Sequence, residues 1–148
     1  MDLNRFKTQT KLHDAEKGIE GNCTQAAIAT IMGLELDEVP DFNTLHKDKP
    51  HSGYFWGHIA KWFYSRGYIF QMSDPKYSWP CLYLASGPSP RGVSHIVVME
   101  DGKLVHDPHP SRAGILSVDR NYILLPIDPS LMTVVPGVQL VPDPDNYF

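Results

Sequence analysis

The stretch that most restricts the fold of this chain is the two-residue turn Asp101-Gly102. It lies between two apolar runs, Ser94 to Glu100 and Lys103 to Asp107, each of a length typical of a β-strand. Asp-Gly is strongly preferred at the centre of a tight hairpin because both central residues need a positive φ. We therefore predict that the two runs form an antiparallel pair.

The register of this hairpin follows from the turn. If Glu100 lies opposite Lys103, counting back along both strands places His95 opposite roughly Pro108. Asp107 is then next to the residue that faces His95, so the two side chains can meet with little loss of chain entropy. We expect a histidine–carboxylate pair at the open end of the hairpin.

Upstream, the sequence predicts a helix with a cysteine in its first turn. Asn22 is a favourable N-cap, small and apolar residues fill the next turns, and Gly33 sits where a left-handed C-cap would end the helix. Cys23 would then lie near unpaired backbone N–H groups and the positive end of the helix dipole, which favour thiolate over thiol. A free cysteine at the start of a buried helix is also a common structural feature, so the helix alone does not assign chemistry.

The remaining elements complete an α+β pattern. Apolar residues spaced three and four apart predict a second helix over Gly53 to Arg66, whereas Asp41 to Ser52, with His46 and His51, is predicted to be a loop. Gly87 to Gly92 is predicted to be a surface loop. Three further strands are expected, at Tyr68 to Met72, Trp79 to Ala85 and Tyr122 to Ile127. Helices followed by an antiparallel sheet indicate an α+β fold with the cysteine helix packed on the sheet.

Size and composition predict one globular domain over residues 1–148. The chain has 148 residues, 42% of them hydrophobic and 20% charged, which is ordinary for a protein with a single core. Residues 128–148 are rich in proline and are predicted to form an extended C-terminal tail, with a short strand at Met132 to Val135.

Charge and hydropathy exclude two classes of partner. The net charge of -4 is spread along the chain without a basic stripe, so we expect no nucleic-acid binding. No apolar run is long enough to span a bilayer, so we expect no membrane partner. Met1 to Lys7 lacks the layout of a secretory signal, so we expect a cytoplasmic location and reduced thiols at Cys23 and Cys81.

Three residues have the chemistry of a thiol hydrolase. A nucleophilic thiol, here Cys23, needs a base that takes its proton and later returns it to the leaving group, and histidine suits this role near neutral pH. His95 begins an apolar run and would be held rigidly at the start of a strand. The imidazole in turn needs a carboxylate to fix its tautomer, and Asp107 is the candidate.

The same segments resemble the papain-like cysteine peptidases. The likeness consists of a cysteine opening a helix of small residues, then Ser94 to Val98, a turn, and Val105 to Pro108, and it covers roughly Gln9 to Pro108. The chain is most similar to the small bacteriocin-leader-processing peptidase domains of export transporters and their stand-alone relatives. The resemblance implies a papain-like fold and a catalytic triad of Cys23, His95 and Asp107.

The family also implies an oxyanion-hole glutamine shortly before the cysteine. The nearest upstream candidate is Gln9, which requires His13 to Glu20 to bulge out as an extra loop. Gln25 lies inside the helix and is a poorer candidate. Thr24 stands where the family has glycine or alanine, which makes the fit of substrate differ in detail.

The sequence leaves several functions open. A cysteine peptidase, an isopeptidase or an amidase would act on a peptide, protein or small amide substrate, and an acyltransferase would use the same triad. An inactive papain-like module that binds a peptide or partner protein is the alternative from another class. His106 and His109 around Asp107 suggest a zinc site weakly, because neighbouring strand residues point to opposite faces, so we expect no metal or other cofactor. The sequence does not indicate the oligomeric state.

Overall fold

The computed structural model of the protein describes residues 3–48 and 54–131. Its helices are α1 (Cys23–Met32), α2 (Phe42–Asp48) and α3 (Phe55–Ser65). Its strands are β1 (Tyr68–Ser73), β2 (Tyr83–Pro88), β3 (Ser94–Glu100), β4 (Lys103–His106) and β5 (Arg120–Pro126). Short 3-10 turns occur at Leu3–Arg5, Leu36–Glu38 and Pro129–Leu131.

The five strands form one antiparallel sheet in the order β1-β5-β2-β3-β4. Helix α1 packs against β3 and α3 packs against β1, and both helices contribute to one apolar cluster with the inner face of the sheet. The predicted α+β class, with the cysteine helix packed on an antiparallel sheet, is confirmed. The fully buried members of this cluster include Ile28, Ile59, Phe63, Leu84 and Val98.

Helix α1 is capped by Asn22 and Gly33, as predicted, but the Asn22 side chain does not make the expected capping bond. Gly33 has φ 67° and its N–H donates to the carbonyls of Ala29 and Thr30, as a left-handed C-cap should. The side chain of Asn22 makes no capping bond to the helix. It is engaged by another segment, which is described with the site below.

The predicted hairpin is confirmed, with one correction to its register. Asp101 and Gly102 have φ of 52° and 74°, and Glu100 faces Lys103. After the next pair, Met99 and Leu104, a β-bulge shifts the pairing, so Val98 faces His106 instead of Val105. The extra residue on β4 moves the following segment by one position relative to β3.

The loop predicted over Asp41 to Ser52 is wrong, because residues 42–48 form α2. The missed signal is Asp41, which follows Pro40 and is a good N-cap residue. Its carboxylate accepts a long hydrogen bond of 3.5 Å from the N–H of Thr44, and its carbonyl accepts one of 2.9 Å from Leu45. Phe42 then anchors the helix in the core.

The strand predicted at Trp79 to Ala85 is displaced in the structure, where β2 runs from Tyr83 to Pro88 and takes up residues predicted to be loop. Gly87 has a packing role here rather than a turn role. A Cβ atom built on it would lie 1.8 Å from the carbonyl oxygen of Ser117, so only glycine lets that segment cross the strand.

The other predictions agree closely or fall outside the described residues. The strands predicted at Tyr68 and Tyr122 correspond to β1 and β5, and the second helix corresponds to α3. Gly53, His51 and the strand at Met132 to Val135 lie outside the described residues, as does the tail beyond Leu131. In the described ranges, no helix combines the length and hydropathy that crossing a bilayer requires.

Candidate active site

A cavity of about 1190 Å³ opens where the start of α1, the start of β3 and the start of α3 meet. Cys23, His95 and Gln9 all line this cavity. Cys23 is the first residue of α1 and His95 is the second residue of β3. Gln9 belongs to the extended segment that precedes the loop of residues 13–20. Three of the four residues singled out in the sequence therefore line one open cavity.

The thiol of Cys23 lies directly beside the backbone of β3. Hydrogen bonding from the backbone of Ile96, the residue after His95, and from Thr24 acts to lower the pKa of this thiol. Burial raises the pKa of Cys23 above its ordinary 9.0, the hydrogen bonds oppose that rise, and the charge of Asp107 adds to it. Burial thus outweighs the stabilisation of a thiolate that the helix start predicts, and the thiol is neutral at rest.

His95 and Asp107 form a buried pair. The His95 Nε2 and Asp107 Oδ1 atoms are 2.5 Å apart, and the two residues are 4% and 2% exposed. Burial lowers the pKa of His95 below 6.5, although the hydrogen bond and charge of Asp107 oppose this, and the positive charge of Arg91 lowers it further. The imidazole is therefore neutral near pH 7, with Nε2–H donating to the carboxylate and Nδ1 left as the base.

The carboxylate of Asp107 is held by backbone donors as well. Its Oδ1 accepts from the N–H of His109 at 2.9 Å and its Oδ2 from the N–H of Gly114 at 2.7 Å. Burial acts to raise the pKa of Asp107, but hydrogen bonds from His95, His109 and Gly114 outweigh it, so the pKa lies below 3.8. The turn after β4 therefore fixes a charged carboxylate behind the imidazole.

Gln9 lies in the cavity wall, anchored through its backbone. Its N–H donates to the carbonyl of Pro108 at 2.9 Å, and its Nε2 donates to the carbonyl of Lys11 at 2.8 Å. An amide nitrogen has two hydrogens, so one remains for another acceptor. Its Oε1 is buried without a partner among the described residues. A Cβ on Gly21 would lie 3.1 Å from Nε2, so this glycine leaves room for the amide.

Asn22 is the residue of this site whose hydrogen bonds the sequence did not predict. Its Oδ1 accepts from the N–H groups of Thr10 and Lys11 at 3.0 and 2.8 Å. Its Nδ2 donates to Thr10 Oγ1 and to Gln25 Oε1, both at 3.0 Å. Asn22 is 3% exposed and joins the segment that carries Gln9 to the start of α1. A polar residue beside the cysteine was the signal, but Thr10 and Lys11, which supply most of its hydrogen bonds, lie more than ten residues away in sequence.

The residues between Lys11 and Asn22 form a loop whose two ends lie together in the wall of the cavity. The N–H of Asn22 donates to the carbonyl of Lys11 at 3.2 Å, which closes the loop at its base. Asp14 and Ile19 form an isolated antiparallel bridge within it. The segment predicted to bulge out, His13 to Glu20, therefore does so without separating Gln9 from α1.

His106 and His109 are not arranged around a metal with Asp107. His106 Nε2 lies 2.7 Å from the carbonyl oxygen of Lys7, and its ring stacks on Phe6. His109 Nδ1 accepts from the N–H of Ser111 at 3.0 Å. In the part of the chain that the structure describes, no group of three or more histidine, cysteine or acidic side chains is placed to hold a metal ion.

Comparison of the chain with protein-family models, with curated proteins and with solved structures found no match.

Proposed function

We propose that this protein is a papain-like thiol hydrolase that cleaves a peptide or amide bond through an acyl-thioester on Cys23. The observation that carries the proposal is the His95–Asp107 pair at 2.5 Å, whose imidazole lines the same cavity as the thiol. An imidazole that is fixed by a buried carboxylate and faces the same cavity as a cysteine has the chemistry to activate a sulfur nucleophile.

The reaction begins from the neutral pair. His95 takes the thiol proton as the sulfur of Cys23 bonds to the carbonyl carbon, and the proton then passes to the leaving amine as the C–N bond breaks. Water attacks the thioester in a second step, with His95 as base. The products are a carboxylic acid and the free thiol. An amine acceptor in place of water would give acyl transfer on the same residues.

Two donors are available to the developing oxyanion. The backbone N–H of Cys23 is in the first turn of α1, where amides have no partner within the helix. The second is the remaining Nε2 hydrogen of Gln9. Donors that are fixed before the reaction stabilise the transition state without reorganisation.

Alkylation with iodoacetamide near neutral pH, read by peptide mass spectrometry, tests the proposal. Cys23 and Cys81 are both free thiols, and the pKa of Cys81 is raised by burial and by Glu100 and Asp101, so Cys81 is an internal reference. We expect Cys23 to react at least about tenfold faster, and His95→Ala to remove the difference. The matched control His13→Ala changes a histidine of the cavity rim and should keep it. Equal, slow labelling of both thiols in the wild type would overturn the proposal.

A non-catalytic peptide-binding module is the second candidate. The bond from Gln9 Nε2 to the Lys11 carbonyl and the raised pKa of Cys23 favour it. A peptide aldehyde separates the two, because its carbonyl forms a hemithioacetal with a reactive thiol. Under the hydrolase proposal Cys23→Ser abolishes binding of the aldehyde, whereas a passive cleft binds it equally well in both proteins.

A further inference from the structure

The floor of the cavity beyond the thiol is a cluster of hydrogen-bond donors. Ser86 pairs with Ile96 on one side and with Arg120 on the other, across β3, β2 and β5. Side chains alternate along a strand, so Arg120 shares the inner face of the sheet with Tyr122. Ser86, Arg120 and Tyr122 all line the cavity.

The donors of this floor have spare capacity. Ser86 and Tyr122 are 8% and 4% exposed, and their hydroxyls share one long contact of 3.4 Å, which uses only one of their two hydrogens. The guanidinium of Arg120 makes no hydrogen bond or ion pair with the other described residues. The carboxylate of the adjacent Asp119 is not within 4.0 Å of the Arg120 guanidinium, so these two residues form no ion pair.

An aromatic wall stands beside these donors. The ring of Trp56, at the start of α3, stacks on Tyr122 with centroids 4.7 Å apart and 16° between planes. Phe55 lines the cavity next to it. A ligand between this wall and the floor would bury apolar surface against the rings, while Arg120 stands exposed at the edge of the cavity.

We propose that Arg120, Ser86 and Tyr122 form a carboxylate-binding subsite, and that the substrates are peptides with an acidic residue immediately before the residue that is acylated. This inference rests on the proposed function. A guanidinium with two hydroxyls offers several donors to a planar anion. Since strands are about 4.8 Å apart, the Arg120 backbone is about 10 Å across the sheet from Ile96, which the neighbouring residue and its side chain can span.

The orientation of the substrate in the cavity follows from the route that the proton must take to the leaving amine. The leaving amine must collect its proton from His95, so the amine side lies over β3 and the rim that contains Arg91 and His109. The acyl side then extends over β2 and β5, where Arg120 lies. The acidic residue therefore belongs to the acyl part of the substrate.

Two matched peptide aldehydes, acetyl-Glu-glycinal and acetyl-Gln-glycinal, test this subsite through their dissociation constants. We expect the full-length protein to bind the Glu aldehyde about fivefold more tightly than the Gln aldehyde, and Arg120→Gln to bring this ratio to about one. Arg120→Glu should favour acetyl-Lys-glycinal instead. Arg91→Gln, the matched control at the opposite rim, should keep the preference for Glu.

Each outcome has a defined meaning. Equal affinity for the two aldehydes, while Cys23 still reacts rapidly with iodoacetamide, overturns the subsite and leaves the hydrolase proposal standing. A preference for Glu that survives Arg120→Gln also overturns the subsite. If Cys23 shows neither rapid alkylation nor aldehyde adduct, the hydrolase proposal fails and this inference fails with it.

Discussion

The two sides of the candidate site are built in different ways. On the imidazole side, His95 and Asp107 are twelve residues apart and belong to one hairpin and the turn after it. On the sulfur side, Cys23 shares the cavity with Gln9, whose position is set by Asn22 and by the carbonyl of Pro108, ninety-nine residues further along the chain. One side is thus assembled from local contacts and the other from distant ones.

This difference assigns the two sides different steps. Under the proposed function, the imidazole would move a proton in every reaction of the thiol, whereas oxyanion donors would act only when a tetrahedral centre forms. Alkylation by iodoacetamide is a displacement at saturated carbon and forms no oxyanion. An aldehyde adduct does form a tetrahedral centre, so the two probes together separate the two sides.

The largest effect is expected at the imidazole side, from Asp107→Ala. The change removes the acceptor of His95 and leaves the N–H groups of His109 and Gly114 unpaired in a buried turn. We expect the alkylation rate of Cys23 to fall about 100-fold and the free energy of unfolding by about 3 kcal/mol. Intact-mass kinetics and urea unfolding measure the two. Asp119→Ala, at the exposed rim, is the control, and an unaltered alkylation rate in Asp107→Ala would show that the carboxylate does not support the base.

The next effect is selective for the sulfur side. Gln9→Ala should weaken binding of a peptide aldehyde about 100-fold because one oxyanion donor is lost, and should leave alkylation of Cys23 within about twofold. Asn22→Ala should weaken aldehyde binding in the same way, since the bonds to Thr10 and Lys11 that place Gln9 disappear. Asn22→Ala should also lower the free energy of unfolding by about 2 kcal/mol.

Substitution of two glycines provides a milder version of the aldehyde-binding test and its control. Gly21→Ala places a methyl group 3.1 Å from Gln9 Nε2 and should reduce aldehyde affinity a few-fold by shifting the amide. Gly18 has φ 66° but nothing within 4 Å of its Cβ position, so Gly18→Asn, which tolerates that backbone, should have no effect. Equal loss of alkylation and aldehyde binding in Gln9→Ala would remove the distinction between the two sides.

The same contrast explains what the sequence could predict. The Asp101-Gly102 turn makes β3 and β4 neighbours, so the proximity of His95 and Asp107 could be inferred by counting, even though a bulge changes the register. The role of Asn22 could not be inferred, because its partners are backbone groups that only the folded chain brings near. Gly87 was misread for a related reason, since the segment at Ser117 that requires it is thirty residues away.

Acid sensitivity should also belong to the imidazole side. Burial lowers the pKa values of His95 and His106 below 6.5, so the unfolded chain binds these protons at a higher pH than the folded chain does. The folded state therefore loses stability as the pH falls below about 6.5, by up to about 1.4 kcal/mol per pH unit for each histidine. The lowered pKa of Asp107 adds a further loss below 3.8.

Urea unfolding at a series of pH values measures this slope. Between about pH 6.5 and 5, His95→Gln should reduce the slope of the free energy of unfolding against pH by the contribution of one histidine. Cys23→Ser should leave it unchanged, because the pKa of Cys23 lies above 9.0 and the thiol binds no further proton in that range. A slope that is equal in wild type and His95→Gln would place the acid-sensitive group elsewhere.

The smallest effect is expected from shortening the loop between Lys11 and Asn22, which joins the two ends of the sulfur side. The backbone bond from Asn22 to Lys11 already closes this loop, so replacing residues 13–20 with Gly-Gly changes mainly its closure entropy. We expect the free energy of unfolding to change by less than about 1 kcal/mol and the Cys23 alkylation rate to stay the same. If the aldehyde affinity then falls as far as in Gln9→Ala, the loop itself, and not Asn22, holds the glutamine in place, and the sulfur side is less dependent on that asparagine than its hydrogen bonds indicate.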